Sequence, residues 1–75
     1  MISLDQLQVG QRATISTVAG ADALVQRLYE MGLLEGEEVE MVGFAPMGDP
    51  LEIRLRDYCL SLRRSEASRI TVLPK

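Results

Sequence analysis

Residues 27–50, RLYEMGLLEGEEVEMVGFAPMGDP, decide the fold. Leu24, Leu28 and Met31 recur at helical spacing, and Gly32 follows where the helix needs a left-handed closing residue, a conformation glycine takes without a Cβ clash. The spacing therefore predicts a helix that stops at Gly32. Of Leu33 and Leu34, one is then free to fold back on the last helical turn while the other stays at the surface. Glu35-Gly36 reverses the chain, and Glu38-Val39-Glu40-Met41 alternates polar and apolar as a half-buried strand does. The strand extends over residues 38–44, with a bulge at Gly43 because Val42 and Phe44 have the opposite parity from Val39 and Met41. Pro46 and Pro50 exclude a helix from Ala45–Pro50, leaving a shaped, exposed turn.

Upstream of this corner, Ser3 and Gln6 form a capping pair for a short helix start, with Ile2 stapled onto Leu7. Arg12–Val18 is rich in β-branched residues and reads as the first strand, Ala13 and Ile15 facing inward. Asp22 opens the helix, whose apolar stripe is Leu24, Leu28 and Met31 with Val25 at its edge, and Arg27 and Glu30 face solvent. Downstream, Leu51–Arg56 and Tyr58–Arg63 alternate strictly and form a hairpin with the leucines and Ile53 inside. Ser65–Ser68 makes one helical turn and Ile70–Leu73 a last strand. The expected class is mainly β with one inserted helix: five short strands in a closed or nearly closed barrel, because closure removes exposed edges.

The 75 residues form a single domain with a small core. Histidine is absent, which removes the commonest general base and transition-metal ligand, and the single Cys59 leaves no intrachain disulfide and suits a reducing compartment. No apolar run is long enough to span a bilayer and no secretory leader is recognisable, so a cytoplasmic location is expected. Net charge is −3, but residues 1–52 carry nine acids against Arg12 and Arg27, a balance of −7, while residues 53–75 stand at +4. The basic third suits either an anionic surface or an oppositely charged face of the same barrel.

The run Leu28-Tyr29-Glu30-Met31-Gly32-Leu33, then Glu35-Gly36 and Val39, then Ala45–Pro50, then Leu60-Ser61-Leu62-Arg63 with Glu66-Ala67 and Ile70 and Val72, closely resembles the FeoA family. These are the small cytoplasmic A proteins of the bacterial ferrous iron transport system. The resemblance covers nearly the whole chain and implies an SH3-like barrel, in agreement with the five strands counted from the sequence. It departs from the family's pattern at Glu35, where a proline is expected, and at Asp57, where a glycine often stands. The resemblance implies an adaptor or regulator that binds the membrane ferrous iron permease at its cytoplasmic GTP-binding part.

No nucleophile, base or phosphate loop is present, so the expectation is a binding module without cofactor, not an enzyme. The candidate partner-binding residues are Tyr29, Leu33, Leu34, Phe44, Met47 and Asp49, read as one surface around the Ala45–Pro50 loop. A metal-sensing or iron-binding domain is the alternative, resting on Glu38 and Glu40 on one strand face and on Cys59. Nucleic acid is disfavoured, since Tyr29, Phe44 and Tyr58 form no stacking platform among the arginines and the chain is acidic. Peripheral contact with anionic lipid through Arg54, Arg56 and Arg63 is a milder use of the same cations.

Overall fold

The computed structural model describes residues 1–75. The helix expected from Asp22 forms at Ala23–Glu30, here α1, with Asp22 at its N-cap and Met31 at its C-cap. Its closure follows the sequence signal in detail. Gly32 has φ +95°, its amide donates to the Tyr29 carbonyl, and the Leu33 amide donates to the Leu28 carbonyl, the two bonds of a Schellman motif. Val25 and Leu28 are the buried centre of the helix face, with Leu24 and Met31 half-buried beside them. Val25 therefore takes the central place expected for Leu24 and Met31.

The strands are β1 Ile2–Ser3, β2 Arg12–Val18, β3 Glu38–Phe44, β4 Leu51–Leu55, β5 Tyr58–Leu62 and β6 Ile70–Pro74. A single-turn helix, α2, spans Arg64–Ala67, and a 3-10 turn spans Leu4–Gln6. All pairings are antiparallel, in the order β1-β6-β2-β3-β4-β5. The expected five strands are corrected to six. Ile2 and Ser3, read as a helix start, pair with Val72 and Thr71 before the 3-10 turn begins. The Ser3 amide does donate to the Gln6 side chain, so the capping pair exists on a shorter helix.

Bulges steer the curl that makes this sheet an SH3-like barrel. Register slips between Met41 and Gly43 against β4, as the change of parity at Gly43 predicts, and again between Ile15 and Thr17 against β6. The second slip brings Val18 into the core with Ala13 and Ile15 although its parity differs. The core joins these residues to Leu4, Leu7, Leu28, Leu33, Val39, Met41, the inward faces of β4 and β6, and Leu62.

The charge asymmetry along the chain closes in space. Arg56 pairs with Glu37, Arg64 with Asp5, Arg69 with Asp22 and Lys75 with Glu38, each a C-terminal cation on an N-terminal acid. Arg12–Glu40 and Arg27–Glu66 complete the set. Glu66 is the one buried charged residue, and its carboxylate also accepts the Arg63 amide at 2.8 Å, capping α2. Hydrogen bonds from Arg56 to Glu37, from Lys75 to Glu38 and from Arg69 to Asp22 hold these carboxyls below their usual range. A carboxylate depressed in the folded state stabilises it above the unfolded pKa, and that contribution is lost as pH falls through the folded value. The unfolding midpoint should therefore drop as pH falls below about 4, and by less in high salt because these groups are exposed. Thermal melts at pH 7 and pH 3, with and without added salt, test this; equal midpoints would remove the pairs from any account of stability. No helix is long and apolar enough to cross a membrane.

Candidate partner-binding surface

The structure separates the six candidate residues into two ends of the barrel and one core position. At the helix end, Tyr29 is half-buried and its hydroxyl donates to Glu35 at 2.9 Å, which raises the phenol pKa. Glu35 is held low first by its own backbone amide and then by Tyr29. Leu34 is 44% exposed beside them, ahead of a turn in which Gly36, at φ +92°, lets the Glu37 amide reach the Leu34 carbonyl. Leu33, expected at the surface, is fully buried; as the residue after the closing glycine it packs back onto the last turn.

The loop end lies across the length of β3, a strand of 7 residues spanning about 20 Å. Met47 is 92% exposed at the tip of Ala45–Pro50, the most exposed of the large apolar residues. The Gly48 amide donates to the Ala45 carbonyl and the Ala45 amide to the Pro50 carbonyl, so the loop closes on itself; the Asp49–Pro50 peptide is cis. Phe44, turned by the bulge to face Leu51 at the barrel rim, is 37% exposed.

Arg64 fastens this loop to the barrel. Its guanidinium lies 5.4 Å from the centroid of the Phe44 ring, donates to the Gly48 carbonyl at 3.1 Å and pairs with Asp5 at 3.7 Å. Its backbone amide donates to the Asp49 carboxylate at 3.0 Å. Asp49 therefore caps α2 while standing in the exposed loop. Met47 is thus held out on a braced support.

Residues 2–74 match the FeoA domain family. The chain belongs to the FeoA family. It is 39% identical over 69 residues to the Fe(2+) transport protein A/Fe(2+) transporter FeoB fusion protein of Porphyromonas gingivalis, a match that takes in 92% of this chain and only 8% of that relative's length. The solution NMR structure of FeoA from Chlorobium tepidum superposes with a TM-score of 0.88 at 39% identity, over 96% of this chain and 69% of that one. The crystal structure of Stenotrophomonas maltophilia FeoA complexed with zinc, a prokaryotic SH3 domain protein, superposes with a TM-score of 0.83 at 36% identity, over 96% and 89% of the two chains. The family takes part in ferrous iron transport.

In this FeoA domain the acids expected as metal donors have other partners: Glu38 holds Lys75 and Glu40 faces Arg12. No three His, Cys, Asp or Glu side chains converge on a point, and Cys59 stands alone and exposed on β5. The groove over β2, β3 and β4 is lined by Arg12, Glu37, Glu38, Val39, Glu40, Arg54 and Arg56, a mixed-charge floor without an unbalanced sign. Of the cations expected for anionic lipid, Arg56 is committed to Glu37, leaving Arg54 and Arg63 without an ion pair.

Sequence reasoning missed Arg64 and Tyr58. The Tyr58 hydroxyl donates to the Met31 carbonyl at 2.8 Å, tying the hairpin to the end of α1. A visible signal was the Arg63-Arg64 pair between the last hairpin strand and a helical turn, where a long cation reaches back over the neighbouring loop. Replacing Arg64 by alanine should cost about 1 kcal/mol and loosen residues 45–50. Backbone relaxation of Met47 and Gly48 measures this; unchanged order there would mean that the loop holds itself.

Proposed function

We propose that this FeoA domain is a non-catalytic adaptor of ferrous iron uptake, docking on the cytoplasmic GTP-binding part of the ferrous iron permease through the loop around Met47. The observation that carries this is the exposure of Met47 on a loop braced by Arg64, an apolar contact offered at little ordering cost. The relative in which the A protein and the FeoB transporter form one chain supports the choice of partner, since fusion turns association into an intramolecular step at an effective concentration on the order of millimolar. No arginine lies within Ala45–Pro50. An effect on GTP turnover would therefore run through the conformation of the permease.

The test is an NMR titration of the labelled domain with the cytoplasmic part of its cognate transporter, with and without guanine nucleotide. Shifts should cluster on residues 44–50, and Met47→Asp should weaken binding at least about tenfold while leaving the fold intact. Shifts confined to Tyr29 and Leu34 would transfer the docking surface to the helix end. An absence of shifts in every nucleotide state would remove the GTP-binding part as the docking site.

A further inference from the structure

The sheet ends on β5, and nothing pairs with its outer side. A two-residue hairpin loop leaves its flanking residues in a hydrogen-bonded pair, so Leu55 with Tyr58, Ile53 with Leu60 and Leu51 with Leu62 are the bonded pairs of this ladder. The backbone N–H and C=O of Cys59 and Ser61 therefore point away from β4. No turn, loop or cap takes them up, and both residues are exposed.

Exposed edges are ordinarily blunted by a charge, a proline, a bulge or extreme shortness. The opposite edge, β1, has only 2 residues. The 5 residues of β5, YCLSL, contain no charge and no proline, and their register against β4 runs without a slip.

The ends of the strand indicate what fits it. Asp57 precedes β5 and Arg63 follows it, and neither side chain forms an ion pair, although six of the eight cations in the chain do. An antiparallel copy of the same strand centred on Leu60 sets Cys59 of each copy against Ser61 of the other in a bonded pair. The same register brings Asp57 of each copy opposite Arg63 of the other at both ends. Leu60 meets its own counterpart beside half-exposed Tyr58. A slip by two residues sets Arg63 against Cys59, or Asp57 against Ser61, and loses both charge pairs.

We propose that the domain associates with a second copy of itself through antiparallel pairing of β5 with β5, Asp57 of each copy facing Arg63 of the other. Four backbone hydrogen bonds with little apolar area make a transient contact, with a dissociation constant on the order of 0.1–1 mM. The pairing uses no residue of the Met47 loop, so its test stands apart from that of the docking proposal.

The experiment is an NMR dilution series of the reduced, labelled chain across roughly 0.05–2 mM, which brackets that constant. Shifts and slowed amide exchange should grow with concentration at Cys59 and Ser61 and stay flat at Met47 and Gly48, whereas Ala45, Asp49 and Pro50 adjoin Ser61 and Arg63 and are not the control. Asp57→Arg and Arg63→Asp each place like charges opposite at both ends and should weaken association at least about tenfold. An equimolar mixture of the two variants re-forms both opposite-charge pairs and should restore association to within about threefold of the unsubstituted chain. Shifts independent of concentration, or a mixture no better than either variant alone, would overturn the proposal. Changes on β5 that arise only when the cytoplasmic part of the transporter is added would overturn it too, assigning the edge to a strand of that partner.

Discussion

Gly32→Ala is expected to destabilise the domain by about 2–4 kcal/mol, the sum of a backbone and a steric contribution. The backbone part arises because φ at Gly32 is +95°, where a Cβ meets the following carbonyl. The steric part is specific to this corner. A Cβ at Gly32 would lie 2.9 Å from the Tyr58 hydroxyl and 3.2 Å from Cδ2 of Leu55. Leu55 is core and has little room to yield, while Tyr58 can withdraw only by giving up its bond to the Met31 carbonyl. Gly36 provides the control, since its φ is +92° but nothing lies within 4 Å of the added carbon. Gly36→Ala should then cost only the backbone part, about 1–2 kcal/mol. Urea unfolding of both variants separates the two contributions. Equal losses would show that the wall of Tyr58 and Leu55 is soft, and Tyr58→Phe should relieve part of the Gly32→Ala loss.

That corner also shows what kind of information a sequence carries. Gly32 announces the helix end, Glu35-Gly36 the turn and Gly43 the bulge, because each constraint is set by the residue's own backbone and its near neighbours. The hairpin was legible from the alternation over Leu51–Arg56 and Tyr58–Arg63, but its turn takes Arg56 as well as Asp57, because Arg56 adopts a positive φ and Leu55 closes the ladder with Tyr58. β1 was not. Two residues have no period to read, and Ile2 and Ser3 become a strand only because β6, at the far end of the chain, supplies their partners.

For the candidate surface, exposure was legible at three apolar positions, while the burial of Leu33 and the spacing of the others in the fold were not. Phe44, Met47 and Leu34 are exposed as expected, but β3 stands between Leu34 and the other two, so proximity in sequence did not become proximity in space. Arg64 escaped notice for the complementary reason: it touches Phe44, Gly48, Asp49 and Asp5 through the closure of the barrel. The ion pairs were likewise visible only as opposite sums of charge until the register matched Glu38 with Lys75 and Glu37 with Arg56.

Leu33→Ala should cost about 2–5 kcal/mol, whereas Leu34→Ala should stay within about 0.5 kcal/mol of the unsubstituted chain. The two leucines are chemically identical and adjacent, and the difference comes entirely from the Schellman closure. Its second bond, from the Leu33 amide to the Leu28 carbonyl, turns the Leu33 side chain onto the core and leaves Leu34 44% exposed. In a domain this small a loss at the upper end of that range unfolds much of the population, so Leu33→Met, which conserves volume, serves as the second variant and should cost less than about 1.5 kcal/mol. Comparable losses at Leu33 and Leu34 in chemical denaturation would contradict the placement of both. The contrast also governs how any transport phenotype is read. A Leu33 variant that loses iron uptake reports on the amount of folded domain, whereas Leu34→Asp leaves the fold in place and asks whether the helix end touches a partner. Loss of transporter binding in Leu34→Asp at unchanged stability, with Met47→Asp silent, would place the docking surface at the end of α1 rather than at the loop.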